Sequence, residues 1–179
     1  GLSNKRPVTG LSGVTRLRHP APEFTLPLFD GGEIVLSELV GRPLVINFWN
    51  PECWPCREEA RGLERTWRAY KDTDVLFIGV ETPIITNSEE SARAYLREFD
   101  VTYPNGRDSD GRITVEYGVI GVPITFFVSR SGIVERRWVG AITEERLVAW
   151  VGELLSGVAP SEDIEGTDLE RFFTLDDKP

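Results

Sequence analysis

The chain has no methionine, a single histidine and only two cysteines, and each scarcity narrows what it can be. With the one imidazole at His19, in a proline-containing stretch remote from both thiols, a Cys/His catalytic couple is not expected. A zinc centre takes four ligands, mostly Cys and His. Two thiols and one distant His19 do not supply them, so no metal is expected, and no cofactor. Two cysteines are also too few for a disulfide-stapled scaffold, and 179 residues with 40% hydrophobic content bury a core without staples. No apolar run reaches the roughly 18 residues of a membrane span. Excess positive charge is lacking too: a net charge of −9 leaves no basic stripe for phosphate backbones, so no nucleic-acid partner is expected. Because the chain begins at Gly1 and holds no methionine, an initiator segment carrying an anchor or signal is read as removed.

Both cysteines fall in "NFWNPECWPCREEA", Asn47 to Ala60. Upstream, Pro43 to Trp49 is an apolar run of strand length; downstream, Ala60, Leu63, Trp67 and Tyr70 recur on one helical face, with Arg57, Glu58, Arg61, Glu64, Arg65 and Arg68 on the rest. Val75 to Val80 is a second buried strand. The order strand, helix, strand predicts a crossover unit with the cysteines at the carboxyl end of its first strand.

Residues 1–20 read as a flexible N-terminal arm, 21–157 as one domain and 158–179 as an acidic tail. An N-terminal hairpin is expected from Phe24–Leu28 and Glu33–Leu36 around Gly31 and Gly32. Asn87 and Glu90 read as a capping box for a further helix with Ala92, Leu96 and Phe99 inward. A short helix is expected through Val115 and Tyr117. A hairpin over Pro123–Val128 and Gly132–Gly140 follows, then a helix capped by Thr143 that ends at Gly157. The fold class is α/β: a mixed sheet of four or five strands flanked by helices, with the N-terminal hairpin and an inserted helix-containing segment near 86–104.

A thiol at the junction of strand and helix meets unsatisfied backbone N–H groups and the positive end of the helix dipole, which favour the thiolate. Cys53 holds that place, and Cys56, one turn on, stands where it can attack a mixed disulfide. Pro55 suits the first turn of the helix, whose N–H groups lack intrahelical partners. A C-x-x-C beside such a unit reads as a redox pair. A metal half-site completed by other ligands, and a structural bridge, are the alternatives. Far along the chain, Pro123 precedes a buried strand, a position suited to a cis X–Pro bond.

The stretches "APEFTLPLFDGGEIVLSEL", "GRPLVINFWNPECWPC", "VLFIGVE", "YGVIGVPITFFVSRSGIV" and "VGAITEERL" together resemble thioredoxin-fold thiol:disulfide oxidoreductases of the TlpA/ResA/CcmG type, close to the redoxin and AhpC/TSA-related group. The resemblance spans about residues 21–156. It implies that Cys53 is the exposed nucleophile, Cys56 the resolving thiol and Pro123 a cis-proline whose neighbour Val122 pairs with bound substrate. Trp54, between the thiols, is read as an exposed platform for a partner or as a shield for the disulfide. Glu81 resembles an acid placed near the cysteines in ResA-like proteins, which implies a catalytic carboxylate that takes the proton of Cys56 during resolution; the alternative is a solvated residue after a strand. Asn47 stands where thioredoxins carry a buried acid. Glu52, where relatives have Trp or Tyr, would oppose thiolate formation, with Arg57 offsetting it.

The implied activity is reduction of extracytoplasmic protein disulfides, as in cytochrome c maturation. Its partners would be protein thiols and disulfides and an upstream membrane or soluble thiol reductant, and the chain is expected to be a monomer in the cell envelope or periplasm. Two rivals stand beside it. Peroxiredoxin-like peroxidases carry Thr or Ser three residues before the attacking cysteine and Pro four before that, positions that are Asn50 and Ile46 here. The other rival is a thioredoxin-fold adaptor without turnover.

Overall fold

A computed structural model describes residues 13–84 and 87–158, with side chains from Arg18 onward. Its elements are β1 (Gly13–Pro20), β2 (Thr25–Pro27), β3 (Glu33–Val35), a 3-10 turn (Leu36–Leu39), β4 (Leu44–Trp49), α1 (Trp54–Tyr70), β5 (Leu76–Glu81), α2 (Glu89–Glu98), β6 (Asn105–Arg107), α3 (Arg112–Glu116), β7 (Ile124–Val128), β8 (Ile133–Val139) and α4 (Glu144–Ser156). A sheet ordered β1-β8-β7-β4-β5-β6 is parallel between β4, β5 and β6 and antiparallel elsewhere. Strands β2 and β3 form the expected hairpin apart from it.

Every residue of β4 is buried, as its unbroken apolar run predicts for a central strand. Alternation then sorts its side chains to two faces. Leu44, Ile46 and Phe48 join a core under the hairpin and α3, with Leu26, Ile113, Tyr117 and Phe126. On the opposite face, Val45 packs with Leu63 of α1 and Leu147, Trp150 and Val151 of α4. Trp49 ends the strand in a third cluster, with Cys53, Cys56 and Ala60 and with Ala92, Tyr95 and Phe99 from the inserted helix region. Asn47 is the one polar residue of the strand, and it too is buried.

Several expectations shift. The sheet gains two edge strands. Gly13–Pro20, within the expected arm, pairs with β8, because backbone hydrogen bonding at an edge needs no apolar period; residues 1–12 lie outside the described residues. Strand β6 was missed because it is only Asn105-Gly106-Arg107. The cap of α2 is Ser88, whose hydroxyl accepts from Ser91 N–H; Asn87, the expected cap, is turned to the interior instead. Thr143 does cap α4, accepting from Arg146 N–H. Glu64, placed by periodicity on the solvent side, is buried and receives the Thr102 N–H and hydroxyl. Apart from Val158, the acidic tail lies outside the described residues.

Gly79 of β5 lies opposite Asn105 of β6. A Cβ there would overlap the Asn105 side chain. That side chain accepts from Trp49 Nε1 at 2.8 Å and donates to the Tyr103 carbonyl at 3.1 Å. Gly79→Ala is therefore expected to cost about 1–3 kcal/mol, read as a lower urea midpoint with an unchanged slope.

Candidate functional site

Strand β4 delivers the chain to a turn whose geometry Asn50 sets. Its Oδ1 accepts from Glu52 N–H at 3.0 Å, its carbonyl accepts from Cys53 N–H at 3.1 Å, and its Nδ2 donates to the Thr82 carbonyl at 2.9 Å and to Asn87 Oδ1 at 2.8 Å. The turn is thus tied to the segment following β5. Cys53 then occupies the N-cap of α1, and its sulfur accepts the Cys56 N–H at 3.2 Å. Pro55 sits in the first helical turn, as its missing N–H allows.

Cys53 and Cys56 are disulfide-bonded, with Cα atoms 5.3 Å apart. The Val122–Pro123 peptide is cis, and the Val122 carbonyl oxygen lies 3.6 Å from Cys53 Sγ. Residues 69 positions apart in the chain therefore meet. Cys53 retains 5% exposure and Cys56 none, so an approaching partner reaches Cys53 first. Beside them Trp54 is 69% exposed and Ile120, two residues before Val122, is 80% exposed. Both are large apolar groups held in water.

Glu81 is wholly buried, which removes the solvated alternative. Its Oε1 accepts from Asn87 Nδ2 at 2.8 Å and its Oε2 pairs with Arg107 Nε at 3.4 Å. Burial raises its pKa, opposed by the Asn87 hydrogen bond and the Arg107 charge. Arg107 stands at ion-pair distance, while Oε2 makes no hydrogen bond among the described residues; Asn87 and Asn50 connect Glu81 to the cysteine turn.

Glu59 went unnoticed in the sequence. It is buried one helical turn after Cys56, where residues three apart share a face. Asn47 Nδ2 donates to its Oε2 at 3.0 Å, while its Oε1 has no hydrogen-bond partner among the described residues. Burial lifts its proton affinity well above the ordinary carboxyl range, and the Asn47 hydrogen bond only partly opposes this. The buried acid absent at Asn47 is thus supplied by the helix facing it. The signal was an acidic residue at i+3 from Cys56, masked by the many charges of α1.

Tyr95 was also missed. Its hydroxyl donates to the Cys56 carbonyl at 2.9 Å and its ring stacks on Trp49, centroids 4.4 Å apart. The inserted helix thereby buttresses the first turn of α1. Arg57, expected to offset Glu52, pairs instead with Glu98 and lies over the Phe99 ring.

The chain matches the model of the AhpC/TSA family over residues 17–137. It is 29% identical over 127 residues to the thioredoxin-like protein YneN of Bacillus subtilis, spanning 71% of this chain and 74% of that one. It is 27% identical over 154 residues to the thiol-disulfide oxidoreductase ResA of Oceanobacillus iheyensis, spanning 84% and 77%. A secreted Mycobacterium tuberculosis disulfide oxidoreductase, described as homologous to E. coli DsbE, superposes with a TM-score of 0.66 at 26% identity, covering 73% of this chain and 96% of that one.

A carboxyl whose pKa is raised by folding contributes stability that is fully present below about pH 4.3 and lost as pH rises through the folded value. Glu59→Gln keeps the shape without titrating. It is expected to gain stability relative to the native protein as pH rises above about 4.3, measured as the difference in urea midpoints; Glu81 titrates in both proteins and cancels.

Proposed function

We infer, because this chain belongs to the AhpC/TSA family and joins its only two cysteines at a helix start, that it is a thiol-disulfide oxidoreductase acting on protein disulfides. The observation that carries the reading is the Cys53 sulfur, which caps α1 by accepting the Cys56 N–H and faces the Val122 carbonyl. A sulfur so placed is stabilised as thiolate by the helix end.

In the reductive direction the Cys53 thiolate attacks one sulfur of a substrate disulfide. That S–S bond breaks, the other substrate sulfur leaves with the electron pair, and a mixed disulfide forms. Cys56 gives its proton to Glu59 and attacks Cys53 Sγ. The second substrate sulfur departs, and the Cys53–Cys56 disulfide closes. Two electrons have passed from the dithiol to the substrate. Glu59, buried one turn from Cys56, suits this proton transfer better than Glu81, whose oxygens face Asn87 and Arg107.

Val122 offers backbone to an extended substrate segment across the cis-Pro123 junction, and the exposed Trp54 gives that segment an apolar platform. We place the activity outside the cytoplasm, among envelope disulfides of the kind met in cytochrome c maturation, with electrons from an upstream thiol reductant. The secreted relative supports this location. Nothing at the site favours peroxide reduction: the residue three before Cys53 is Asn50, an amide committed to holding the turn.

Cys53→Ser is expected to abolish insulin-disulfide reduction. Cys56→Ser should accumulate a mixed disulfide with substrate, visible on a non-reducing gel and released by dithiothreitol. Absence of any adduct would remove the assigned roles. A reductant should also poise its pair nearer ~−270 mV than ~−120 mV, measured by equilibration with thiol buffers and Trp fluorescence.

A further inference from the structure

Asn47 is the single polar side chain in a strand otherwise wholly apolar, and both hydrogens of its amide are committed. Nδ2 donates to Glu59 Oε2 at 3.0 Å and to Thr125 Oγ1 at 3.1 Å. Thr125 is itself fully buried and lies opposite Asn47 across the β4–β7 pairing. Three elements, β4, β7 and α1, therefore spend three buried polar side chains on one chain of hydrogen bonds. Such groups are costly to bury in an apolar core without a function for their hydrogen bonds.

We propose that Asn47, oriented by Thr125, is a positioning residue of the exchange reaction: it holds the Glu59 carboxyl by Oε2, leaves Oε1 to take the Cys56 proton, and sets the pH at which Glu59 does so. The proposal rests on the exchange reading above. A neutral donor is the functional choice at position 47. It favours the carboxylate, which can accept a proton, whereas an acid there would share a proton with Glu59 and hold it protonated.

The other titratable groups facing Glu59 do not substitute for it. Those are Cys56 on its own helix, the Tyr95 phenol of α2, and the Tyr103 phenol ahead of β6. Burial keeps both phenols protonated far above their ordinary range. No Lys or Arg of the described residues is hydrogen-bonded or ion-paired to Glu59, so its proton affinity answers chiefly to burial and to Asn47.

The test is a carboxyl-carbon NMR titration of reduced protein labelled at Glu, with Glu59→Gln identifying the resonance. Asn47→Ala is expected to raise the Glu59 midpoint by about 1–2 pH units, the worth of a hydrogen bond to a charged group. Thr125→Val, which frees the amide to rotate, should raise it by less. The pH of half-maximal Cys53–Cys56 closure, followed by Trp fluorescence, should move with the midpoint, and the Asn47 effect should vanish in a Glu59→Gln background. If Asn47→Ala does not fold, the isosteric Asn47→Asp must still raise the midpoint, through repulsion between two carboxyls. An unmoved midpoint, or a loss of rate equal at every pH, would overturn the proposal. The titration needs no turnover, so a protein that failed to exchange disulfides would still report on Asn47.

Discussion

A helix that starts inside a protein must find acceptors for its first N–H groups, and here the acceptor is sulfur. The Cys56 N–H bonds to Cys53 Sγ, so the same contact ends the turn after β4, opens α1 and favours negative charge on the outer cysteine. Much of the surrounding structure keeps that contact in place. Asn50 fixes the turn ahead of it, Tyr95 holds the Cys56 carbonyl behind it, and the Val122–Pro123 junction faces it from the start of the neighbouring strand β7.

Two buried carboxyls lie close to this centre, and their partners separate their roles. Glu81 has Asn87 and Arg107 on its oxygens and, through Asn87 and Asn50, bears on the shape of the cysteine turn. Glu59 has one neutral donor and one oxygen with no partner among the described residues. The first arrangement gives an acid a cation, though one of its oxygens makes no hydrogen bond among the described residues. The second pairs the acid with no cation among the described residues, and burying it carries a cost in stability.

Much of the fold was legible because its central strands are apolar throughout and its helices are strongly periodic. The hairpin β2–β3, strands β4, β5, β7 and β8, and α1 and α4 all fall close to where pattern and turn chemistry place them. The edges were not legible. Strand β1 carries a polar, basic sequence and is held by backbone pairing with β8, and β6 is three residues long. Neither leaves a side-chain period to read. The cap of α2 was misplaced by one residue because Asn87 and Ser88 are both competent caps, and only the need for a donor at Glu81 distinguishes them.

By itself the sequence determined the redox pair and its setting: two cysteines three apart, after an apolar strand, before an amphipathic helix, with a distant proline ahead of a buried strand. Those are local properties, written in spacing and side-chain type. Tertiary packing alone shows the setting of each buried acid. Glu59 and Glu81 are the same residue type, one among the charges of α1 and the other at the end of an apolar strand. What separates them is which neighbours three-dimensional packing brings to each carboxyl oxygen, and in the absence of solvent those neighbours set its charge.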